Sequence, residues 1–271
     1  MNTNKVIFVD FSIFLYAGVF SAAKIGQYAP YLSLKSVLAC LKCIEIDPDD
    51  IIILAVDSGK GSWRKELEPV YKANRKDIRD KTGLNWDKHF QDYNEMLGQL
   101  DIGSPFYIIR LERIEADDVI GYGVRYYKDH ECIIISTDTD FKQLLQYPNV
   151  KVFSPKTKAY RIVKYPERVV EQKMRMEKMD NLTAPMITEQ DRELRRKLVN
   201  LCKLPDDIEL TIKGVLDKID VKAYETQAFP FKKALGQVEQ IYDNASKEIV
   251  TYTNSFKPKK QKPVEQLQLE V

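Results

Sequence analysis

The chain has 271 residues, of which 44% are apolar and 30% charged, and its formal net charge is +2. This composition is typical of a globular protein with one large domain, or a core plus a smaller module, and it excludes a largely disordered chain. No apolar run approaches the roughly 20 residues of a transmembrane helix. The run KVIFVDF contains an acid and lacks a small-residue cleavage site, so we expect a cytoplasmic protein without a signal peptide or membrane contact.

The cysteines and histidines are few, and they are Cys40, Cys43, Cys132, Cys202, His89 and His130. Only the first two cysteines are close in sequence, which is not the pattern of a disulfide framework. The surrounding stretch LACLKCIEI indicates an apolar helical face, and no second pair of cysteines or histidines follows it. The sequence therefore argues against a zinc site and against base catalysis by histidine.

Short apolar runs rich in β-branched residues predict strands at Val6–Val9, Ile51–Val56, Phe106–Ile109, Cys132–Ile135 and Val150–Phe153. Helical patterns alternate with them at Leu32–Ile44, Trp86–Leu100, Ala116–Tyr127 and Phe141–Gln146. This alternation predicts an α/β fold with a central parallel sheet flanked by helices. We expect the sheet to end at the fifth strand.

The connection between the second and third strands is unusually long. It spans residues 58–104 and contains the mostly basic stretch KGSWRKELEPVYKANRKDIRDK. Long insertions in compact domains are usually functional. Basic surface beside an acidic pocket is typical of nucleic-acid-binding proteins with metal-dependent chemistry.

The pattern after Tyr165 is helical. Thr188 is a candidate helix cap, with Asp191 three residues later, and another helix follows Pro205. A last helix is predicted around Phe231–Tyr252, ahead of a lysine- and proline-rich tail that is typical of a flexible linker.

Acidic residues follow four of the predicted strands, and they are Asp10, Asp57, Glu115, Asp117, Asp118, Asp138 and Asp140. Ligand sites in open α/β sheets lie outside the carboxyl ends of the strands, so we expect these side chains at one edge. Crowded carboxylates raise one another's pKa values, and divalent cations are the simplest way to neutralise them. Carboxylate oxygens suit Mg²⁺, with Mn²⁺ as a substitute. Two ions about 3.5–4 Å apart would activate a water and stabilise the leaving oxygen of a phosphodiester.

Each acidic group also has an ordinary structural interpretation. The segment from Glu115 to Asp118 could cap a helix and complement its dipole. Asp57 begins a common turn signal, and the Asp138–Asp140 segment could cap the helix that follows it. Asp10 is harder to explain in this way, because it closes the apolar run VIFV and precedes FSIFLY. The convergence of four acidic groups favours a metal site.

The motifs VIFVDFS, AVDSGKGSWRKELEPVYKANRK, RIEADDVIG and STDTDFKQLLQYPNVKVFSP resemble the 5′ nuclease superfamily of flap endonucleases, most closely the ribonuclease H group of T-even-type phages. The resemblance covers residues 5–165. It implies a PIN-like nuclease core with two-metal cleavage of 5′-ended or flapped DNA and of RNA primers on DNA. The seven carboxylates would form the acidic set.

The resemblance also implies that the insertion forms a helical arch beside the metal ions. The candidate phosphate-binding residues are Lys65, Lys72, Arg75, Lys76 and Arg79. Lys72 and Arg75, in YKANR, would contact the scissile phosphate. The alternative is a solvated charged helix face.

We expect residues 1–165 to form the nuclease core, residues 166–256 a C-terminal helical region, and residues 257–271 a flexible basic tail. The family's glycine-rich helix-three-turn-helix is degenerate here, since MEKMDNLTAPM lacks its glycines. Glu177 and Asp180 keep the acidic spacing, so Asp180 is a candidate ligand of the second ion. An ordinary charged helix end is the alternative.

The expected partners are DNA and RNA–DNA hybrids with 5′ ends or flaps, and the chain is expected to be a monomer. Residues 266–269, QLQL, loosely resemble peptides that dock on sliding clamps, with a disordered tail as the alternative. A clamp or a single-strand-binding protein would then be a replication partner. The leading function is a structure-specific 5′ nuclease of phage-type replication. The alternatives are a PIN-like ribonuclease and a DNA-structure-binding protein with weak catalysis.

Overall fold

A computed structural model describes residues 4–47, 50–176, 179–180, 182 and 188–219. Its centre is a six-stranded sheet composed of β1 (Val6–Asp10), β2 (Ile51–Ala55), β3 (Tyr107–Ile109), β4 (Cys132–Ile135), β5 (Val150–Ser154) and β6 (Ala159–Tyr160). The spatial order is β3-β2-β1-β4-β5-β6. The first five strands are parallel and β6 pairs antiparallel with β5, so the predicted α/β sheet is confirmed.

The helices in the described ranges are α1 (Phe11–Ile25), α2 (Ala29–Cys43), α3 (Trp63–Leu67), α4 (Arg75–Asp80), α5 (Trp86–Gly103), α6 (Ala116–Tyr126), α7 (Val169–Met174), α8 (Glu189–Val199) and α9 (Asp206–Leu216). Short 3₁₀ helices span Asp140–Gln146 and Pro166–Arg168. None of the helices in these ranges is long and apolar enough to cross a membrane.

Strand β1 is covered on both faces, and all five of its residues are buried. Because side chains alternate along a strand, Ile7 and Val9 pack into the cluster formed with α1, α2 and α5. Val6 and Phe8 point the other way, into the cluster formed with α6 and α9. Burial on both faces explains why the strand is a continuous apolar run.

The site lies where the strand order reverses. From β1 the chain moves outward through β2 to β3, and then returns to place β4 on the other side of β1. Open sheets bind ligands at such a switch point, outside the carboxyl ends of the strands. Helix α6 follows β3 and packs closely on the sheet, since a Cβ at Gly123 would lie 2.5 Å from the ring of Phe8. Its first residue, Ala116, donates a hydrogen bond to Asp57 just after β2, so the first turn of α6 stands at the same edge.

One expectation about the elements was wrong, and helix α1 was not predicted. The sheet does not end at β5, because the two-residue strand β6 extends it through Phe153–Tyr160 and Ser154–Ala159 pairs. The segment Phe11–Ile25, for which no helix was predicted, forms α1. The predicted cap at Thr188 is confirmed, since its side chain accepts a hydrogen bond from the Asp191 N–H.

The described C-terminal helices pack against the α/β core. Ile208, Ile212 and Leu216 of α9 lie in the same apolar cluster as the inner face of α6. Glu209 accepts a 2.7 Å hydrogen bond from Arg125 of α6. Other predictions fall outside the described residues, namely the helix at 231–252, the tail at 257–271 with its QLQL segment, and Glu177.

Candidate active site

Asp10 is the last residue of β1, and its side chain is buried at the switch point. Ser136, which follows β4, donates a 2.7 Å hydrogen bond to Oδ2 of Asp10. Burial raises the pKa of Asp10 to about 7, and the nearby charges of Asp57 and Asp138 add to this effect. Burial disfavours the charged form of this carboxyl group, and a cation close to it would favour that form.

Asp57 follows β2 and connects this strand to two helices. Its Oδ2 accepts a 2.7 Å hydrogen bond from the hydroxyl of Ser12 in α1. Its Oδ1 accepts a 2.9 Å hydrogen bond from the backbone N–H of Ala116, the first residue of α6. Both partners are far from Asp57 in sequence, so these bonds are not those of a local turn, and they bring the carboxylate to the start of α6.

Glu115 precedes α6, and its side chain is held by the long insertion. Ser62 donates a 2.6 Å hydrogen bond to Oε1, and Lys72 Nζ donates one of 2.7 Å to Oε2. Burial raises the pKa of Glu115, but the charges of Lys72 and Arg64 outweigh burial and lower it to about 2. Glu115 is therefore an anion in the folded chain.

Asp118 is fully buried, and its Oδ2 accepts a 3.1 Å hydrogen bond from the backbone N–H of Glu115. The guanidinium of Arg64 binds both of its carboxylate oxygens at 2.9 and 2.6 Å, and Trp63 Nε1 donates to Oδ2 at 2.9 Å. Arg64 Nε also donates to the carbonyl of Leu198, near the end of α8. These contacts indicate a positioning role for Asp118, whereas the sequence motifs grouped it with the catalytic carboxylates.

Asp117 is in the first turn of α6, directly before Asp118. Its Oδ1 makes no hydrogen bond, although it is 3.6 Å from Arg64 Nη1. Burial raises the pKa of Asp117 well above its ordinary value, and the charge of Glu115 raises it further. This oxygen is therefore available to a cation at the first turn of α6.

The loop after β4 carries Asp138 and Asp140. Oδ1 of Asp138 accepts a 2.9 Å hydrogen bond from the N–H of Asp140, whereas Thr139, which precedes the 3₁₀ helix, makes no side-chain cap hydrogen bond. Arg161 holds the loop from outside, donating to the carbonyls of Thr137 and, at 2.8 Å, Asp138. The Asp138 side chain remains exposed, so its other oxygen can bind a ligand.

Asp140 and Asp180 share one cation, the ammonium of Lys173 in α7. Lys173 Nζ hydrogen-bonds to Asp140 Oδ2 and lies 3.1 Å from Asp180 Oδ2. Burial raises the pKa of Asp140, while the charge of Lys173 lowers it. Asp180 thus lies beside Asp140 at the candidate site, and its role as a metal ligand stays a prediction.

A small apolar cluster explains how distant parts of the chain meet here. The cluster consists of Tyr71, Met174, Met179, Leu198 and Val199, all of them buried. Three of them are next in sequence to a charged residue of the site. The pairs are Tyr71 and Lys72, Met174 and Lys173, and Met179 and Asp180. Burial of the apolar residues therefore places the charges beside the sheet edge.

The basic residues of the insertion differ in their surroundings. Lys72 contacts the acidic pocket through Glu115, whereas Lys65, Arg75 and Lys76 are exposed. Arg79 is half-buried, donates a 3.3 Å hydrogen bond to the Tyr16 hydroxyl and lies over the ring of Phe90. The geometry thus brings Lys72 to the carboxylates and gives Arg79 a packing role.

The donor set fits a hard divalent cation. Within the described ranges, no three His, Cys, Asp or Glu side chains form a ready-made metal cluster, and cationic side chains neutralise the acids instead. The available donors are carboxylate oxygens, the ligands that Mg²⁺ prefers. Asp117 Oδ1 is buried without a hydrogen-bond partner and could bind an ion, whereas Asp180 Oδ2 faces the Lys173 ammonium at 3.1 Å.

Residues that the sequence analysis did not single out complete the site, and they are Ser12, Ser62, Arg64, Ser136, Arg161 and Lys173. Two carried a local signal, since Ser136 opens the STDTD motif and Ser62 stands at a helix N-cap. The ion pairs of Arg64 and Lys173 join residues far apart in sequence, so no local pattern reveals them.

A family model described as the N-terminal resolvase-like domain of 5′-3′ exonucleases matches residues 6–177. The chain belongs to this 5′-3′ exonuclease family. It is 28% identical over 214 residues to the ribonuclease H of Enterobacteria phage T4, which covers 76% of this chain and 70% of that protein. Flap endonuclease Xni of Shewanella sp. (strain W3-18-1) is 30% identical over 143 residues, or 52% of this chain and 51% of that protein.

Solved structures are similar to the chain in overall fold. The T5 5′-exonuclease with bound zinc ions has a TM-score of 0.52 and 16% identity, covering 92% of this chain and 99% of that chain. A T5 flap endonuclease complex with DNA and metal ions has a TM-score of 0.54 and 17% identity, covering 93% and 100%. The fold is therefore a PIN-like nuclease fold, as the sequence motifs implied.

Proposed function

We propose that the chain is a magnesium-dependent, structure-specific 5′ nuclease that hydrolyses phosphodiester bonds in RNA primers and flaps during DNA replication. The observation that carries this proposal is the convergence of Asp10, Asp57, Glu115 and Asp138 at one sheet edge, next to Lys72 of the basic insertion. The names of the related ribonuclease H and flap endonuclease support this substrate class.

The carboxylates would hold two ions. One position would use Asp10, Asp57, Glu115 and Asp117, and the second would use Asp138, Asp140 and Asp180. Bound ions would supply an activated water and neutralise charge on the leaving oxygen, and Mn²⁺ would serve in place of Mg²⁺. Asp118 and Arg64 would act as positioning residues, because their bidentate ion pair fixes the first turn of α6.

The basic side chains would orient the strand that is cut. The Lys72 ammonium contacts the Glu115 carboxylate. When a substrate binds, it would leave Glu115 and contact the scissile phosphate instead. Arg75 and the exposed Lys65 and Lys76 would contact phosphates along the insertion, which would act as the helical arch. Such contacts position a substrate without reading its sequence.

The cellular setting follows from this chemistry. We propose a monomer that acts in the cytoplasm, that of the host cell if the chain is phage-encoded. A sliding clamp or single-strand-binding protein would recruit it to replication forks through the tail.

Cleavage of matched substrates tests the proposal. A 5′-labelled DNA flap, a 3′ flap of the same sequence and a single-stranded RNA of equal length are incubated with the protein and Mg²⁺. We expect cleavage of the 5′ flap, little cleavage of the 3′ flap, and none after chelation of the metal. Preference for the RNA would favour a PIN-like ribonuclease, and tight binding without cleavage would favour a DNA-structure-binding protein.

A further inference from the structure

Lys173 occupies an unusual position between two carboxylates from different parts of the chain. Its ammonium contacts Oδ2 of Asp140, from the loop after β4, and lies 3.1 Å from Oδ2 of Asp180. All three side chains are less than a fifth exposed. A single cationic atom thus lies where two candidate metal ligands converge.

The backbone around these residues fixes this arrangement. Lys173 is followed by the buried Met174, and Arg195 donates hydrogen bonds of 3.2 and 3.1 Å to the carbonyls of Met174 and Met176. Asp180 is held from the other side, because its carbonyl accepts a 2.9 Å hydrogen bond from the N–H of Lys72. Backbone hydrogen bonds therefore hold both partners of this partly buried ion pair in place. Exposed ion pairs, by contrast, usually contribute little to stability.

The ammonium and a divalent ion compete for the same oxygens. A divalent cation bound to Oδ2 of both aspartates would lie within a few ångströms of the Lys173 Nζ position. Like charges at that distance repel strongly in a partly buried site. Occupation by the ion therefore requires the lysine side chain to leave.

We propose that Lys173 is an internal counter-ion at the second cation position, so that a second divalent ion binds only by displacing its ammonium. This inference rests on the proposed function, because it assumes that the carboxylates hold divalent ions. Lys173 would then set the affinity of the second ion, while the first ion, near Asp10 and Asp57, binds independently of it. The chain would bind its two ions with clearly different affinities.

Titration with Mn²⁺ tests the proposal without an activity measurement. Binding is followed by the electron paramagnetic resonance signal of free Mn²⁺ for the full chain and for Lys173→Met. We expect the second ion to bind at least tenfold more tightly to Lys173→Met, with the first ion unchanged. Lys173→Arg keeps the cation and should resemble wild type. Arg175→Met removes an exposed cation two residues away and is the matched control.

Two further outcomes separate this inference from the proposed function. Equal second-ion affinity in wild type and Lys173→Met, or an equal gain in Arg175→Met, would overturn the role of Lys173 and leave the nuclease proposal intact. Absence of Mn²⁺ binding in every variant would overturn both.

Lys173→Gln provides the same comparison if Lys173→Met does not fold. Adding Asp180→Asn to either variant should remove the gain, and a retained gain would contradict the shared position.

Discussion

The backbone N–H of Lys72 donates a 2.9 Å hydrogen bond to the carbonyl oxygen of Asp180, and both residues have positive φ angles, of 52° and 47°. The bond joins the basic insertion to the C-terminal region at the candidate site. A left-handed conformation costs a residue with a side chain roughly 1–2 kcal/mol. Strain of this kind persists where the surrounding structure holds it, often at functional sites.

Lys72→Gly and Lys72→Ala both remove the ammonium, but only glycine relieves the backbone. Glycine relieves the left-handed strain, but it also gives the unfolded chain more conformational entropy. The net result is that we expect Lys72→Gly to be about 0.5–1 kcal/mol more stable than Lys72→Ala. Urea denaturation of both variants measures the difference. Flap cleavage should fall strongly in both. Equal or lower stability of the glycine variant would refute the strain argument.

Breaking the buried pair of Arg64 and Asp118 should destabilise the fold. Arg64→Met leaves the Asp118 carboxylate buried without its cation, and such changes cost about 3–5 kcal/mol. Asp118→Leu should have a similar effect, and the double variant should cost much less than the sum. Denaturant titration of the four proteins gives this cycle. Arg113→Met, which breaks the exposed pair with Glu66, is the control and should change stability little.

Asp10 should make the metal-free protein less stable as the pH rises. Its folded pKa, about 7, exceeds its ordinary value of 3.8, so the folded state binds the proton more tightly. The resulting stability is complete below pH 3.8 and is lost as the pH rises through 7. Compared with Asp10→Asn in a chelator, wild type should lose about 2–3 kcal/mol between about pH 5 and pH 8. A parallel pH profile for the two proteins would argue against a buried, protonated Asp10. Asp129→Asn, at an exposed position, is the control.

Removing exposed cations from α4 should weaken the salt dependence of DNA binding. For each phosphate-binding cation that Arg75→Gln or Lys76→Gln removes, the slope of log affinity against log salt should become shallower by about 0.9 on duplex DNA. Fluorescence anisotropy across a salt series measures the slope. Lys128→Gln, beyond the other end of α6, should leave it unchanged. Arg79→Gln should chiefly reduce stability, because that guanidinium packs against other side chains.

The strands were predictable because buried parallel strands need apolar, β-branched residues on both faces. The edge strand β6 was missed since its two residues, Ala159 and Tyr160, are exposed and form no such run. Helix α1, FSIFLYAGVFSAAKI, was missed for a different reason. It is rich in apolar residues and lacks a clear polar face, so periodicity does not separate it from a strand.

The acidic edge of the site was predictable because each carboxylate follows a recognisable strand. Its cations were not, since the partners of Arg64 and Lys173 come from elsewhere in the fold. Asp118 illustrates the limit most clearly. In sequence it is equivalent to Asp117, yet the Asp118 carboxylate is paired with Arg64 and accepts a hydrogen bond from Trp63, while Asp117 has an unbonded oxygen. Only helix packing separates the two roles.

Cleavage and binding of a labelled 5′ flap by wild type and Asp138→Asn provide the most direct test of a metal-dependent nuclease site. The new amide side chain would keep an oxygen to accept the Asp140 N–H, and the position is exposed, so the fold should persist. We expect Mg²⁺-dependent cleavage to be lost while flap binding, measured in Ca²⁺ or chelator, stays close to wild type. Unchanged cleavage by Asp138→Asn would contradict the assignment of the carboxylate edge as the catalytic metal site.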